Sequence, residues 1–403
     1  MQIVPVPRSK LNILYVGTLP PHRGGSSISC SQLLVGFARM GHRVRALAPI
    51  STDMCRPDDD FALSQPEVGV TRYPIPYFEA SSYIPAPDWY RRMEGLRIQE
   101  KLPVLIAEER PDIIYIGVEK FAWHVPDLAS AHFLPCALTI RGGATFALLD
   151  GTYPEVLARQ LLGEFRKVDR IVTQTEYLAE GVRGLGLDAI TVIPNALDLV
   201  QFSPKPRDPT LLRKLAIRDD DSIVMHVSNL KMLKRPLDLV ESAKQALWYN
   251  PSLVYVIVGD GQLRAAMEEV CLQKGVSERF RFVGWVEYER MPDYINLADI
   301  IVMPSDAESQ ARVYLETQAC ARLLLASDIP AAREVIVDGE SGLLFRKGDI
   351  DDLTAKTLLA AGDAALRADI GRKARERVQA HSLDNALAAY VAIFEDLVER
   401  HLG

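Results

Sequence analysis

The chain has 403 residues, of which 48% are hydrophobic, 25% are charged and 7% are aromatic. At roughly 100 to 200 residues per domain this length predicts two or three domains, and the composition excludes disordered, collagenous and fibrous proteins. The 46 basic and 53 acidic residues give a formal net charge of −7, which excludes the strongly basic surface that a nucleic-acid partner requires.

No stretch of the sequence approaches the roughly 20 apolar residues that a membrane span needs. The cysteines are widely spaced and lack the CxxC pattern of zinc and redox sites, so we expect reduced and mostly buried thiols. They are Cys30, Cys55, Cys136, Cys271 and Cys320. These features predict a cytoplasmic protein without an integral membrane segment, and peripheral contact with a membrane stays open.

Short apolar runs rich in β-branched residues alternate with helix-like segments, a pattern typical of parallel sheets built from βαβ units. In the first half the predicted strands are residues 11–16, 44–48, 113–117, 136–140, 170–172 and 190–193. In the second half they are residues 223–227, 253–258, 280–283, 300–303 and 323–326. The pattern predicts two Rossmann-like domains in an α/β protein.

The proposed boundary lies in a polar stretch with three prolines, residues 202–209, which has the composition of a linker. The predicted domains are therefore residues 1–204 and 205–382. In residues 383–403, apolar side chains at helical spacing predict an amphipathic terminal helix that must dock on another element. Those side chains are Leu383, Leu387, Tyr390, Phe394 and Leu397.

Residues 51–90 are rich in Pro, Tyr, Ser and Asp, and we predict a long loop system on the first domain. Such a loop either borders a substrate site or is a structural insertion, and the sequence leaves both readings open.

Two glycine-containing turns follow predicted strands. Residues 17–27 lead into a helix predicted to start near Ile28, and residues 259–264 follow a strand of the second domain. The backbone amides of such turns can bind a phosphate at a helix N terminus. Neither turn has the GxGxxG spacing of a dinucleotide site, so a tight structural turn is an equal alternative for each.

Basic residues precede a predicted helix of the second domain. Lys231, Lys234 and Arg235 come directly before Pro236, and proline is favoured in a first helical turn. The last two cations therefore lie beside a helix N terminus, where an anion is held. This pattern favours a phosphate clamp over solvated surface charge.

Two glutamates follow the predicted strand 300–303. On one helix, Glu308 and Glu316 would be about 12 Å apart at ~1.5 Å per residue, whereas a glycosidase carboxylate pair needs about 5 to 9.5 Å. The spacing favours an extended ligand with one carboxylate near each end. Glu308 also follows the carboxyl end of a strand, where open α/β sheets bind ligands.

These glutamates, with seven residues between them, resemble the EX7E signature of retaining GT-B glycosyltransferases of family 4. Other stretches resemble that family's motifs in the same order, and the resemblance covers nearly the whole chain. They are IPNALD at 193–198, VGDGQLR at 258–264, ADIIVMPS at 298–305 and EVIVDGESGLL at 334–344. The resemblance implies two Rossmann-like domains facing across a cleft, with the nucleotide-sugar on the second, the acceptor on the first, and the terminal helix crossing back to the first.

The resemblance also implies roles for single residues. Glu316 should bind the ribose hydroxyls and Glu308 the donor sugar. Lys234 and Arg235 should bind the diphosphate, and together with Glu308 they are the predicted catalytic residues. The other residues implied around the donor are Gly24 and Gly25, whose amides face the diphosphate, Val286, whose backbone reads the base, and Asn229, Gly259, Ser309, Gln310, Ala311 and Arg312.

The implied chemistry requires no metal or other cofactor. The leaving diphosphate gains negative charge as the glycosidic bond stretches, and one preorganised donor is typically worth ~2.7 to 4 kcal/mol in such a transition state. The acidic runs at 58–60 and 219–221 lie in loops away from the strand ends. We interpret them as solvated acid clusters rather than as a manganese site.

The sequence departs from the family pattern at several positions. Ser309, Gln310 and Ala311 replace Gly-Phe-Gly, and Ala321 replaces a glycine. Arg141 stands where the family's TxHG strand end has its histidine. A permanently charged group there needs an anionic partner, which is either a substrate or a nearby acid such as Glu119.

His124 is a second candidate for contact with the acceptor or sugar, with a structural histidine as the alternative. We predict a retaining, metal-independent hexosyltransferase that uses a UDP- or GDP-sugar and a sugar or glycoconjugate acceptor. Two alternatives stay open. One is a small-molecule transferase with a sugar-phosphate acceptor, similar to sucrose-phosphate synthases, and the other is an inactive nucleotide-sugar binding protein.

Overall fold

The computed structural model describes residues 10–51, 61–76 and 86–402. The chain divides into two compact units, one formed by the residues up to Asn195 together with those from Leu383 onward, and the other by Ala196–Ser382. The boundary predicted between residues 204 and 205 falls nine residues inside the second unit.

The first unit is built on a seven-stranded sheet with the order β3-β2-β1-β4-β5-β6-β7, in which every neighbouring pair is parallel. Its strands are β1 (Asn12–Val16), β2 (Arg43–Ser51), β3 (Gly69–Ile75), β4 (Ile113–Ile116), β5 (Cys136–Thr139), β6 (Arg170–Thr173) and β7 (Ile190–Val192). Its helices before the crossing into the second unit are α1 (Gly25–Arg39), α2 (Phe61–Ser64), α3 (Asp88–Glu109), α4 (Pro126–Ala131), α5 (Gly143–Leu149), α6 (Glu155–Phe165) and α7 (Glu176–Gly184).

The second unit has a six-stranded parallel sheet with the order β10-β9-β8-β11-β12-β13. Its strands are β8 (Ser222–Val227), β9 (Leu253–Val258), β10 (Phe280–Gly284), β11 (Ile300–Met303), β12 (Leu323–Ser327) and β13 (Leu343–Phe345). Its helices are α8 (Pro209–Lys214), α9 (Pro236–Tyr249), α10 (Arg264–Lys274), α11 (Met291–Ile295), α12 (Arg312–Ala319), α13 (Pro330–Val335), α14 (Ile350–Gly362) and α15 (Ala364–Arg377). Apolar clusters cover both faces of this sheet, as parallel strands require.

The terminal helix α16 (Leu383–Leu402) belongs to the first unit. The Phe394 ring lies 5.6 Å from that of Phe37 on α1 and 5.4 Å from that of Tyr115 on β4. Leu387 packs against Gly36, where a β-carbon would come within 2.5 Å of its side chain. The predicted amphipathic helix is therefore confirmed, and its apolar face returns to the first unit.

The predicted α/β fold with two Rossmann-like sheets is confirmed, with two edge strands that the sequence analysis missed. The loop prediction for 51–90 is wrong for β3, for α2 and for the start of α3. Pro74 lies within β3, and an edge strand tolerates a proline because it needs fewer ladder hydrogen bonds. The rest of that segment, residues 52–60 and 77–85 with Cys55, lies outside the described residues.

The proline-rich stretch 202–209 is not a free linker. Phe202 is fully buried, and Arg375 donates to its backbone oxygen at 2.9 Å and to that of Leu199 at 3.0 Å. Arg322 donates to the backbone oxygen of Lys205 at 3.1 Å. These bonds attach the stretch to the second unit, which explains why the structural boundary precedes the compositional one.

Two further expectations concern the thiols and the membrane. The four described cysteines, Cys30, Cys136, Cys271 and Cys320, are free and buried. None of the helices in the described part of the chain is both long enough and apolar enough to cross a membrane.

Candidate active site

The strand order of the second sheet brings the predicted donor residues to one place. The chain proceeds outward from β8 in one direction and from β11 in the other, so the sheet has its switch point between these two strands. Open α/β sheets bind ligands at the carboxyl ends of the strands at such a point. Lys234 follows β8 and Glu308 follows β11, and the two loops are joined where the Asp306 amide donates to the Leu233 oxygen at 2.8 Å.

Lys234 and Glu308 form a close ion pair. The lysine Nζ lies 2.6 Å from Oε1 and 2.7 Å from Oε2 of the carboxylate. The hydroxyl of Ser305, which is fully buried, donates to the same Oε1 at 2.7 Å. Glu308 is 7% exposed, so its charge depends on these two partners.

Arg235 has a different environment from Lys234. Its Nε donates to Asp238 at 2.7 Å and its Nη1 lies 3.4 Å from Asp306, which also lies 3.6 Å from the Nζ of Lys347. The backbone of Arg235 is in the left-handed region, with φ of 45°. Both predicted clamp residues lie at the switch point, but the guanidinium is already bound by two carboxylates of its own.

Glu316 lies on α12, whereas Glu308 precedes that helix, so the estimate for two glutamates on one helix does not apply. Glu316 is 4% exposed, and the Nε of Arg312 lies 3.4 Å from its Oε1. Burial raises the pKa of the Glu316 carboxyl, and the adjacent Arg312 opposes that shift. The Arg312 guanidinium also stacks over the ring of Tyr288 at 5.2 Å and donates to the Ala196 oxygen at 3.2 Å.

The other predicted donor residues of the second unit lie on the loops around this pair. Ser309, Gln310 and Ala311 connect Glu308 to the first residue of α12, Asn229 is exposed, and Val286 is buried. Gly259 has a structural reason to be glycine, because its φ is 113° and a β-carbon would lie 1.9 Å from the Ser228 oxygen. This close approach favours the tight-turn alternative at 259–264.

In the first unit, Arg141 and Glu119 lie at the carboxyl ends of β5 and β4. The Glu119 carboxylate accepts the backbone N–H of Arg141 at 2.9 Å. The guanidinium donates instead to the Gly117 oxygen at 2.9 Å and to Asn195 Oδ1 at 3.3 Å. The side-chain ion pair considered as the structural alternative is therefore not formed. Burial raises the pKa of Glu119, which is 2% exposed.

The remaining first-unit candidates are Gly24, Gly25 and His124. Gly24 has a φ of 131° and comes directly before α1, so the helix starts at Gly25 rather than near Ile28. The ring of His124 lies against Gly95, where a β-carbon would come within 2.6 Å of it. Burial lowers the pKa of His124, which favours the structural alternative for this histidine.

The acidic run 219–221 differs from its interpretation as a solvated cluster. Asp221 is 4% exposed and binds Arg218 at 3.0 Å and Arg279 at 3.5 Å, so it is a structural residue. The run 58–60 lies outside the described residues. Within the described ranges, no group of three or more His, Cys, Asp or Glu side chains is placed to hold a metal ion.

Three polar residues near the Lys234–Glu308 pair were not among the predicted site residues. They are Ser305, His226 on β8 and Ser228 directly after β8. His226 and Ser228 are not part of the motifs quoted above, and Ser305, the last residue of the ADIIVMPS stretch, was given no role of its own. The pairing of β8 with β11 brings them to the edge of the sheet from which the loops of Lys234 and Glu308 start.

Two parallel α/β units, one with this lysine–glutamate pair at its switch point, define the class of GT-B glycosyltransferases. Residues 208–377 match the model of the glycosyl transferases group 1, and residues 24–196 match that of a glycosyl transferase 4-like domain. The D-inositol 3-phosphate glycosyltransferase of Xylanimonas cellulosilytica is 30% identical over 300 residues, which cover 69% of this chain and 68% of that protein. The chain belongs to the group 1 glycosyltransferases.

Other similar proteins agree with this assignment. The D-inositol 3-phosphate glycosyltransferase of Geodermatophilus obscurus is 30% identical over 68% of this chain, and the match spans 63% of that relative's length. Among solved structures, sucrose-phosphate synthase from Thermosynechococcus elongatus has a TM-score of 0.83 at 20% identity. Anabaena HepE in complex with UDP and glucose has a TM-score of 0.79 at 16% identity. Each alignment covers 96% of this chain and 100% of the other, and these likenesses confirm the GT-B fold.

Proposed function

We propose that the protein transfers a hexosyl group from a nucleoside diphosphate sugar, with the donor bound by the second unit. The observation that carries this proposal is the Lys234–Glu308 pair at the switch point, followed by the buried carboxylate of Glu316 on α12. A nucleotide-sugar presents hydroxyls on its sugar and ribose and negative charge between them. Two carboxylates with a cation nearby match that order of groups.

The chemistry follows from charge development in the transition state. As the bond between the anomeric carbon and the diphosphate oxygen breaks, the bonding electrons pass to the diphosphate. The ammonium of Lys234 stabilises that charge, and Glu308 then accepts a hydrogen bond from the donor sugar. In this proposal the cation takes the part that a metal ion plays elsewhere, and the reaction retains the anomeric configuration.

For the donor we propose a UDP-sugar, with a GDP-sugar as the alternative. Support comes from the similarity of fold to HepE, which is described in complex with UDP and with UDP-glucose. For the acceptor, a sugar or glycoconjugate is the first candidate that the family resemblance suggests.

A small anionic acceptor is a second candidate, favoured by a specific observation. The guanidinium of Arg141 bonds only neutral oxygens in the contacts that the structure describes, so its charge is available to an anion. Several similar proteins are named for phosphorylated substrates or products, namely D-inositol 3-phosphate glycosyltransferase and sucrose-phosphate synthase. We therefore propose a polyol phosphate or sugar phosphate as the acceptor to test first.

The experiment measures release of UDP or GDP from a panel of nucleotide-sugars, with and without inositol phosphate, hexose phosphates and neutral sugars. We expect transfer by the wild type, a loss of about 10²-fold or more in Glu308→Gln, and no loss in Glu340→Gln, a matched change at an exposed glutamate of the same unit. NMR of the product gives the anomeric configuration, and turnover in EDTA tests the metal requirement. Binding of nucleotide-sugars with neither transfer nor hydrolysis would instead identify an inactive binding protein.

A further inference from the structure

A chain of hydrogen bonds joins β8 and β11, the two strands whose loops carry Lys234 and Glu308, and the donor and acceptor of each bond follow from chemistry. His226 is fully buried, and its Nδ1 lies 2.9 Å from the Val302 oxygen on the neighbouring strand β11. A carbonyl oxygen only accepts, so Nδ1 carries the proton. Burial lowers the pKa of His226 to about 4, so the ring is neutral at neutral pH and Nε2 is an acceptor.

The next links follow from that tautomer. Nε2 lies 2.7 Å from the Ser228 hydroxyl, which must donate to it. The hydroxyl oxygen then accepts the backbone N–H of Leu230 at 3.1 Å. The chain therefore connects β11, through His226 and Ser228, to the backbone of a loop residue.

Leu230 occupies an unfavourable backbone conformation. Its φ is 42°, in the left-handed region that disfavours a residue with a large side chain. Its N–H is held by Ser228, its oxygen accepts the Leu263 N–H at 3.1 Å, and its side chain is fully buried. Such a conformation persists only where the surroundings over-determine it.

The turn at Leu230 lies just before the segment that carries Lys234. The short 3₁₀ helix Met232–Lys234 begins two residues after Leu230, and the Lys234 N–H donates to the Lys231 oxygen at 2.9 Å. We propose that His226 and Ser228 are positioning residues for Lys234: by fixing the left-handed turn at Leu230, they set the ammonium over the Glu308 carboxylate. The role in turnover rests on the proposed function, whereas the placement of Lys234 does not.

The test uses Ser228→Ala, which removes the link between His226 and Leu230, and Ser228→Thr, which keeps the hydroxyl. Ser242→Ala is the matched control, because Ser242 is a fully buried serine of the same unit whose hydroxyl accepts from Thr354 at 3.0 Å. Two quantities are measured. One is kcat and donor KM, and the other is acetylation of Lys234 by acetic anhydride, read by mass spectrometry against Lys373, whose ammonium is paired with Asp369 at 2.7 Å.

We expect Ser228→Ala to lower kcat roughly tenfold with donor KM within about twofold, and to raise acetylation of Lys234 several-fold relative to Lys373. Ser228→Thr and Ser242→Ala should match the wild type in both. A folded Ser228→Ala with wild-type kcat or wild-type labelling of Lys234 would overturn the proposal, including the case where only its melting temperature falls.

A second variant covers the case in which Ser228→Ala does not fold, and the labelling of Lys234 separates failure of this proposal from failure of the proposed function. If Ser228→Ala does not fold, His226→Asn serves in its place, because the amide NH₂ can take the place of Nδ1 as donor to the Val302 oxygen, whereas the shorter side chain places no acceptor at the position of Nε2. If the wild type transfers no sugar while Ser228→Ala still increases the labelling of Lys234, the proposed function fails and the positioning role stands.

Discussion

The carboxyl edges of the two sheets each hold a cation and a buried carboxylate, but the hydrogen bonding of the two pairs differs. In the second unit the ammonium of Lys234 bonds both oxygens of Glu308 directly. In the first unit the carboxylate of Glu119 accepts a backbone N–H, and the guanidinium of Arg141 bonds two neutral oxygens.

The difference separates two uses of a buried charge. The charge of a directly paired lysine is compensated by the carboxylate until a more strongly charged ligand binds the ammonium. The charge of a guanidinium that bonds neutral acceptors is not compensated, so it can attract an anionic ligand. On this basis the second unit is suited to stabilise a charge that develops during reaction. The first unit is suited to bind an anion that is present from the start.

The largest effect is expected from Lys234→Ala. Loss of the cation that pairs with Glu308 should lower kcat by about 10² to 10³-fold, equivalent to ~2.7 to 4 kcal/mol, with a smaller change in donor KM. Arg235→Ala should lower kcat less, because its guanidinium is bound by Asp238 and Asp306. Steady-state kinetics of both variants check this order, and equal losses would place the clamp on both residues.

Lys234→Ala also leaves Glu308 buried without its cation, which lowers stability. The double variant Lys234→Ala, Glu308→Gln removes the unpaired charge. Its melting temperature should recover towards that of the wild type while turnover stays low, which separates the two effects.

The second effect concerns Glu316, whose carboxylate is buried beside Arg312. Glu316→Ala should weaken nucleotide affinity by about 10- to 150-fold, because hydrogen bonds to a charged group are worth roughly 1.5 to 3 kcal/mol. Glu316→Gln keeps an acceptor oxygen and should lose less. Isothermal titration calorimetry with UDP and GDP is the measurement, and unchanged affinity in the alanine variant would remove Glu316 from the donor site.

The third effect tests the first unit. Arg141→Ala should raise the KM of one substrate roughly tenfold, since a charge-assisted hydrogen bond to an anion is lost. Glu119→Gln is the control, because its amide oxygen still accepts the Arg141 N–H. If Arg141→Ala has a lower melting temperature but wild-type kinetics, Arg141 has only a structural role. The proposed anion-binding role of the first unit would then be rejected.

The smallest expected effect is on the free energy of unfolding, at one alanine with an unfavourable backbone conformation in each unit. Ala189 in the first and Ala321 in the second both have positive φ, 55° and 52°, where glycine is favoured. Ala189→Gly and Ala321→Gly should each raise the free energy of unfolding by about 0.5 to 1 kcal/mol, measured by denaturant titration. Ala368→Gly within α15 should lower it by about 1 kcal/mol, and a loss at Ala321 equal to that control would contradict the backbone explanation.

Much of the fold could be predicted from local patterns. The central strands are continuous apolar runs because both of their faces are buried, and such runs are visible in the sequence. Two of the four edge strands, β3 and β13, were missed because their local signal is weaker. β13 is apolar but has only three residues, too few for a recognisable run, and β3 contains Pro74 and partly exposed positions, so it lacks the composition of a buried strand. The departure at Ala321 was visible in the sequence, but the left-handed backbone that favours glycine at this position is a property of the fold.

For the candidate site, too, some features could be predicted from the sequence and others depend on the tertiary structure. The sequence by itself determined that Lys234 and Glu308 follow strands of a parallel α/β unit and that seven residues separate Glu308 from Glu316, because residue type and spacing along the chain carry that information. Only the tertiary structure decided which charges meet. It joined Lys234 to Glu308 across 74 positions of sequence, bound Arg235 to acids of its own, and left Arg141 with neutral partners. The physical reason is that pairing depends on distances of 3 to 4 Å between side chains, which the strand order and the loop conformations determine and which spacing along the chain does not encode.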